Sequence, residues 1–339
     1  MINLIDQLEA GRALTRAEAE ALMQELLSGA VPTADIVRML EAMNRRAVQA
    51  CELAGFAHVM RAHAAPVFPN GDAASLGLVD TCGTGGKAAS TFNISTAAAI
   101  VASAAGARVA KHGNRGMSSR SGSADVLEAL GVRIDLPLER FGAAIREIGI
   151  GFLFAQVAHT SMKHAAPARK QVGVRTVFNL LGPLTNPAGA AFQVVGVPSA
   201  ELIDLLAGAL AELGTECALV VQGEGGLDEI SLAGETLAAE VRNGRIKRFT
   251  LSPEEFGVER APLEAVRGGT PGENAGRIRR VLEGEPGPAR DIVAINAAAA
   301  LVACQAAEDF REGARMAARV IADGSAAEKL RALIEFTHR

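Results

Sequence analysis

Residues 80–131 read DTCGTGGKAASTFNISTAAAIVASAAGARVAKHGNRGMSSRSGSADVLEALG. Two glycine-rich turns lie in this stretch, about 30 residues apart. Gly83-Thr84-Gly85-Gly86 runs into Asn93-Ile94-Ser95-Thr96. Lys111-His112-Gly113-Asn114-Arg115 runs into Ser118-Ser119 and Ser121-Gly122-Ser123. Each turn follows an apolar run that reads as a strand and precedes an alanine-rich run that reads as a helix. Glycine lets backbone N–H groups approach an anion closely, and the next helix adds its positive end. A single turn of this kind is equally a plain tight turn. Two in series, carrying hydroxyls, an amide and a cation, point to a ligand with two phosphate groups.

Upstream, residues 2–65 read as helices. Ile2, Ile5 and Leu8 repeat at helical spacing up to Gly11, and Thr15 with Glu18 makes a capping box ahead of Ala19, Leu22 and Leu26. Gly29 closes that helix, Thr33 is placed to cap the next, and a fourth covers about 50–63. PVFPNG, residues 66–71, breaks the composition and reads as a hinge. Beyond it, strand and helix alternate. Strands are expected at Leu76–Thr81, Arg108–Lys111, Gly151–Phe154, Phe192–Val197 and Ala218–Gln222. Helices are expected near 93–106, from Ser121 to Gly131, and at 138–148, 161–172, 176–181 and 200–213. Residues 235–251 alternate around Asn243-Gly244, a hairpin signal, and 271–337 return to helix. The fold class expected is α/β: a small N-terminal α-helical domain plus a larger α/β domain with a mixed central sheet flanked by helices. The domain boundaries expected are 1–70, joined by part of 161–185, and 71–339.

The 339 residues suffice for two domains and a large core. A net charge of −4 with no basic run disfavours a nucleic-acid or anionic-membrane surface. Cys51, Cys82, Cys217 and Cys304 are far apart with no CxxC pair, and read as packed thiols in a reducing compartment. The start, MINLIDQLEAG, has no basic n-region, and the apolar stretches near 97–107 and 292–304 are too short to span a bilayer. These features describe a cytoplasmic enzyme.

Three clusters carry chemistry. Lys111 ends a strand, where its ammonium reaches phosphate oxygens as a point charge; Asn114 adds an amide, and Ser118, Ser119 and Ser123 add hydroxyls. Arg115 serves either the ligand or a salt bridge that holds the loop. Lys163, Arg169, Lys170 and Arg175 fall close together before LGPLTNP, and a guanidinium there suits a carboxylate bidentately. Gly225-Gly226-Leu227-Asp228-Glu229 places adjacent carboxylates in a glycine-rich loop, a donor set for Mg²⁺ shared with substrate phosphates, with Ser95 available as a hydroxyl ligand. There is no GxSxG, HExxH or paired CxxC. His58 and His63 are spaced five apart and read as structural or solvent histidines, and His159 with His164, again five apart, read as structural.

GTGG with NIST, KHGNR with SGSADVLEALG, the RTVFNLLGPLTNP stretch and GLDE together resemble the anthranilate phosphoribosyltransferase family of tryptophan biosynthesis. The resemblance extends from the N-terminal helices to INAAAAL near 295–301. It implies that the amine of anthranilate displaces pyrophosphate from C1 of phosphoribosyl pyrophosphate (PRPP), with inversion. It also implies a hinge between the two domains, a homodimer through the helical domain, and Mg²⁺, two ions per subunit. Neither nucleic acid nor membrane is an implied partner; a nucleoside phosphorylase of the same fold is the competing enzyme reading. Carried over by motif, Gly83, Gly86, Lys87, Thr91, Asn93, Ile94, Ser95 and Thr96 would hold PRPP from the first turn. Lys111, His112, Gly113, Asn114, Arg115, Ser118, Ser119 and Ser123 would hold it from the second. Gly83, Asn114 and Arg169 would hold anthranilate, with His112 and Pro183 along its path. Ser95 would bind one Mg²⁺, and Asp228 with Glu229 the other. Lys111, Arg169 and His112 would be the catalytic set. Lys87 departs from the pattern, since most of the family has aspartate there. Either it tightens the phosphate clamp and alters Mg²⁺ dependence, or it faces solvent.

Overall fold

The computed structural model describes residues 2–69, 71, 73–86, 91–116 and 120–339. Lys87, Ser118 and Ser119 lie outside the described residues.

A seven-stranded sheet forms the larger part, in the order β3-β2-β1-β4-β5-β6-β7. The strands are β1 (Leu78–Gly83), β2 (Arg108–Gly113), β3 (Ile150–Phe154), β4 (Phe192–Gly196), β5 (Cys217–Gly223), β6 (Thr236–Arg242) and β7 (Arg245–Leu251). β1 to β5 pair in parallel, while β6 and β7 run antiparallel at one edge. The sheet is therefore mixed. Its period of two splits the side chains between two cores. Val194, Leu219 and Ala238 face one, with the helices Ile94–Ala104, Ser123–Leu130 and Pro288–Ala303. Val195, Val220 and Ala239 face the other, with the helix Glu201–Glu212 and the N-terminal helices.

The N-terminal helices are Ile2–Glu9, Arg16–Ser28, Thr33–Asn44 and Ala50–Ala62. Ala165, Ala168, Phe178, Leu181 and Leu184 pack into the same core, so this helical layer continues into the segment that carries Arg169. Thr15 and Glu18 form the expected capping box, and Gly29 ends the helix at φ 79°. Thr33 is the first helical residue instead of the cap; Pro32 stands before it with no side-chain cap.

Other boundaries moved for local reasons. β1 starts at Leu78 because Gly77 turns the chain at φ 60° after a 3₁₀ turn at Ala73–Leu76. The expected helix 161–172 is split into a 3₁₀ turn, Thr160–His164, and a helix, Ala166–Val172, since Pro167 starts a helix better than it continues one. Asn243 and Gly244 make the two-residue hairpin loop, both at positive φ. No helix among the described residues is long and apolar enough to cross a membrane.

Candidate active site

The chain winds from β1 out to β3, then returns to lay β4 on the other side of β1. In open α/β sheets the crevice at such a reversal, beyond the carboxyl ends of the strands, is where ligands bind. A cavity of about 940 Å³ opens there.

The first glycine turn leaves β1 at Gly83, and Thr84 N–H donates to Gly196 O at 3.0 Å. Gly83, Gly86, Thr91, Asn93, Ile94, Ser95 and Thr96 all line the cavity, at the N-terminus of the helix Ile94–Ala104. The second turn leaves β2 at Gly113 and contributes Lys111, His112, Gly113, Asn114, Arg115 and Ser123 to the same cavity. Asp125 ties this turn to its helix by accepting the amides of Gly116 and Gly122, each at 2.8 Å. Arg115 pairs with Asp125 at 3.1 Å and with Glu128 at 3.0 Å, so its guanidinium fastens the loop to that helix. Lys111 is buried; its ammonium donates to Thr81 O and lies 3.4 Å from Ser95 Oγ, between the two turns.

Asp228 and Glu229 enter from the loop after β5 and line the same cavity. Gly196 admits them: a Cβ there would lie 1.8 Å from Asp228 O. Glu229 Oε1 accepts Ser95 N–H at 3.0 Å, at the positive end of a helix. Even so, burial and the neighbouring Asp228 push the Glu229 carboxyl up to about 8, and burial raises Asp228 as well. Two adjacent half-buried carboxylates whose pKa values are both raised fit a small dication. No group of three His, Cys, Asp or Glu side chains suited to a metal occurs among the described residues. A pair of carboxylates is the donor set Mg²⁺ uses where substrate phosphate and water supply the remaining ligands.

Arg169 also lines the cavity, half-buried, with its guanidinium 5.6 Å from the centre of the Phe178 ring. Burial alone lowers its pKa, and no carboxylate among the described residues pairs with it. Met60, Met162, Phe178 and Leu181 add apolar surface to the same cavity, which suits a flat aromatic acid. Composition alone gave no sign of this apolar surface, nor of Thr160, Asn179 and Gly269, which also line the cavity.

Beneath it, the carbonyls of residues 182–185 are each taken by a different side chain. His112 Nδ1–H donates to Gly182 O at 3.1 Å, Gln193 Nε2 to Pro183 O at 2.7 Å, Arg61 Nε to Leu184 O at 2.7 Å, and His159 Nε2 to Thr185 O at 3.0 Å. Asn186 Nδ2 donates to Asp80 Oδ2 and to Ala110 O, both at 2.8 Å, and Asp80 Oδ1 accepts His112 N–H at 3.1 Å. β1 and β2 pair only through Leu78 with Arg108 and Val79 with Val109, and Asp80 holds the two strands together beyond that point. Burial keeps the Cys82 thiol protonated, with Asp80 adding to the shift, so it packs and does not attack.

Burial and His159 bring His112 down to about 3, and burial brings His159 down to about 4. Both rings are neutral at pH 7. Below the unfolded value of 6.5 the unfolded chain binds protons that the native chain refuses, so stability falls as pH drops from 6.5 toward 4. His159→Gln keeps a donor for Thr185 O without the titration. Its stability, measured in urea from pH 7 to 4.5, is expected to fall less steeply than that of the unmodified protein, by about 1.4 kcal/mol per pH unit. Parallel curves would show that His159 already takes up its proton in the native state.

Residues 75–327 match the glycosyl transferase family, a/b domain, and residues 2–64 match the glycosyl transferase family, helical bundle domain. The anthranilate phosphoribosyltransferase of Solibacter usitatus is 52% identical over 95% of this chain and 94% of its own length. The crystal structure of anthranilate phosphoribosyltransferase from Thermus thermophilus superposes with a TM-score of 0.91 at 46% identity, covering 99% of both chains. The Saccharomyces cerevisiae enzyme in complex with PRPP and Mg superposes with a TM-score of 0.89 at 28% identity, covering 99% of this chain and 97% of that one. Two phosphate-type turns, an acidic pair and an unneutralised guanidinium around one cavity are thus found in a chain that, by sequence and by fold, belongs to the anthranilate phosphoribosyltransferase family.

Proposed function

We propose that this protein transfers the phosphoribosyl group of PRPP to the amine of anthranilate, releasing pyrophosphate and forming N-(5-phosphoribosyl)anthranilate, the second step of tryptophan synthesis from chorismate. The observation that carries the reading is the convergence on one cavity of both glycine turns, the Asp228–Glu229 pair and Arg169. The acidic pair and the guanidinium distinguish it from a phosphorylase, which needs neither.

The residue roles follow from chemistry. Backbone N–H groups of the 83–86 and 113–116 turns and the start of the helix Ile94–Ala104 receive the phosphates. Thr91, Asn93, Ser95, Thr96 and Ser123 surround them with polar side chains, and Lys111 adds a fixed positive charge behind Ser95. Asp228, Glu229 and Ser95 would hold Mg²⁺, two ions in the full complex. When bound, Mg²⁺ supplies positive charge to the departing pyrophosphate. Arg169 takes the carboxylate of anthranilate, with Asn114 and Gly83 closing the site. An arylamine is neutral near pH 7, so no side chain has to remove a proton before attack. Neutral His112 suits this, lining the approach without placing a second cation beside the developing positive charge on the ribose. Positioning supplies much of the acceleration, and closure of the two domains would exclude water from the activated sugar.

Residues 1–70 with part of 161–185 would move as one body against 71–339, and a homodimer would form through the helical domain; the setting is cytoplasmic. The test is to mix protein, Mg²⁺, PRPP and anthranilate and follow anthranilate fluorescence. Fluorescence falls only with every component present, and excess EDTA abolishes the loss. A protein that leaves the signal unchanged under all conditions sinks the reading.

A further inference from the structure

Between the two glycine turns, Asn93 and Ser121 form a clasp that Asn274 joins from outside the cavity lining. Asn274 lies in the first turns of the helix Pro271–Leu282, 181 residues along the chain from Asn93, and is 3% exposed. Its Nδ2 donates to Asn93 Oδ1 at 3.0 Å, and its Oδ1 accepts the amide of Gly269 at 2.8 Å. Asn93 Oδ1 also accepts the Ser121 hydroxyl at 3.0 Å, and Asn93 Nδ2 donates to Ser121 O at 3.1 Å. Both acceptor positions of the Asn93 amide and one of its donors are therefore spent on protein groups. One side chain ties the first turn to the second, and Asn274 ties that junction to a third segment.

The third segment lies flat against the exit of the first turn. Phe92 N–H donates to Val266 O at 3.2 Å, Thr91 bridges to Arg267, and a Cβ on Gly268 would come within 2.2 Å of Thr91 O. Gly269 lines the cavity, whereas Asn274 stands behind it. A phosphate cradle works because its N–H groups are held in place before the anion arrives. Here the turns meet directly through Asn93 and Ser121, and a single buried amide, Asn274, holds that junction to the third segment.

We propose that Asn274 is a positioning residue for PRPP: through Asn93 and Gly269 it fixes the separation and orientation of the two glycine turns. This rests on the reading of the cavity as a PRPP site. The consequence falls mainly on that substrate, because Arg169, which takes the anthranilate carboxylate, is carried by a separate segment, the helix Ala166–Val172, and the turns contribute to that site only through Gly83 and Asn114.

Asn274→Asp tests it. The change keeps an acceptor for the Gly269 amide but faces Asn93 Oδ1 with a second acceptor. The dissociation constant for PRPP, by calorimetry, and KM for PRPP are each expected to rise about tenfold. KM for anthranilate is expected to stay within about twofold, and the melting temperature above the assay temperature. Ser121→Ala, which removes one bond of the clasp and leaves Asn274 in place, is expected to raise both PRPP constants about threefold. A PRPP constant within about twofold of the unmodified protein in Asn274→Asp overturns the inference, as does an equal rise in both KM values accompanied by lower melting. Unmodified protein that neither binds nor consumes PRPP overturns the functional reading and the inference with it. Tight binding by the unmodified protein and the variants alike overturns the inference alone.

Discussion

Glu229→Gln is expected to lower kcat/KM for PRPP by about 10²–10³-fold, the range seen when one preorganised electrostatic partner of a developing charge is removed. The amide oxygen still accepts Ser95 N–H, so the loop keeps its anchor; only the negative charge is lost. The Mg²⁺ concentration giving half-maximal rate is expected to rise in parallel. Stability should move the other way. Burial beside Asp228 raises the Glu229 carboxyl to about 8, so between its unfolded value of 4.5 and 8 the native state binds a proton that the unfolded state has released. Stability attributable to this group therefore declines as pH rises through that window, and a neutral amide removes the decline. Without metal, Glu229→Gln should melt at or above the temperature of the unmodified protein at pH 7.5. A variant that is both less active and less stable would mean that Glu229 supports the fold and leaves the chemistry to others. Asp228→Asn is the companion: its backbone carbonyl is what packs on Gly196, so the loop again stays while a charge is lost.

How far the chain could be read in advance depended on the distance between partners. The glycine turns, the capping box at Thr15 and Glu18, and the Asn243-Gly244 hairpin were legible because their physics closes within a few residues. The mixed sheet was legible from the alternation of strand and helix after residue 71 and from the 235–251 hairpin, which adds an antiparallel pair. Strand order was not, because nothing local says that β4 returns beside β1. The clasp was invisible for the same reason: an asparagine in a helix start reads as a cap until its partner, 181 residues upstream, is in place. Asp80 shows another limit. In sequence it is one acidic residue at a strand end; folded, it is wholly buried and holds β1 to β2 through His112 N–H and Asn186. Arg115 had two open readings, and its bonds to Asp125 and Glu128 favour the structural one. Arg61 could not have been foreseen at all. It reaches from the N-terminal helices to Leu184 O, and burial lowers its pKa to about 10 with Asp80 opposing, so it stays charged at neutral pH.

Arg169→Ala is expected to lower kcat/KM for anthranilate by about 100-fold while leaving KM for PRPP within about twofold. The guanidinium has an apolar ring on one side and no carboxylate among the described residues to satisfy it. On the proposed reading a ligand carboxylate would complete it, and a charge-assisted hydrogen bond of this kind contributes about 1.5–3 kcal/mol. Arg169→Lys separates charge from geometry. A lysine keeps the cation but offers neither the planar fork nor a flat face for the Phe178 ring, so about a tenfold loss should remain. The decisive comparison uses aniline, which has the amine but lacks the carboxylate. If Arg169 acts on that carboxylate, the unmodified protein and Arg169→Ala should turn over aniline at the same low rate, and the whole difference between them should appear only with anthranilate. Equal losses on both amines would instead mean that the substitution disturbs the helix Ala166–Val172 and, through it, the wall formed by Phe178 and Leu181. Melting curves then identify the cause, because a collapsed wall removes buried apolar contact and lowers the melting temperature, whereas a missing guanidinium at a half-buried position scarcely does.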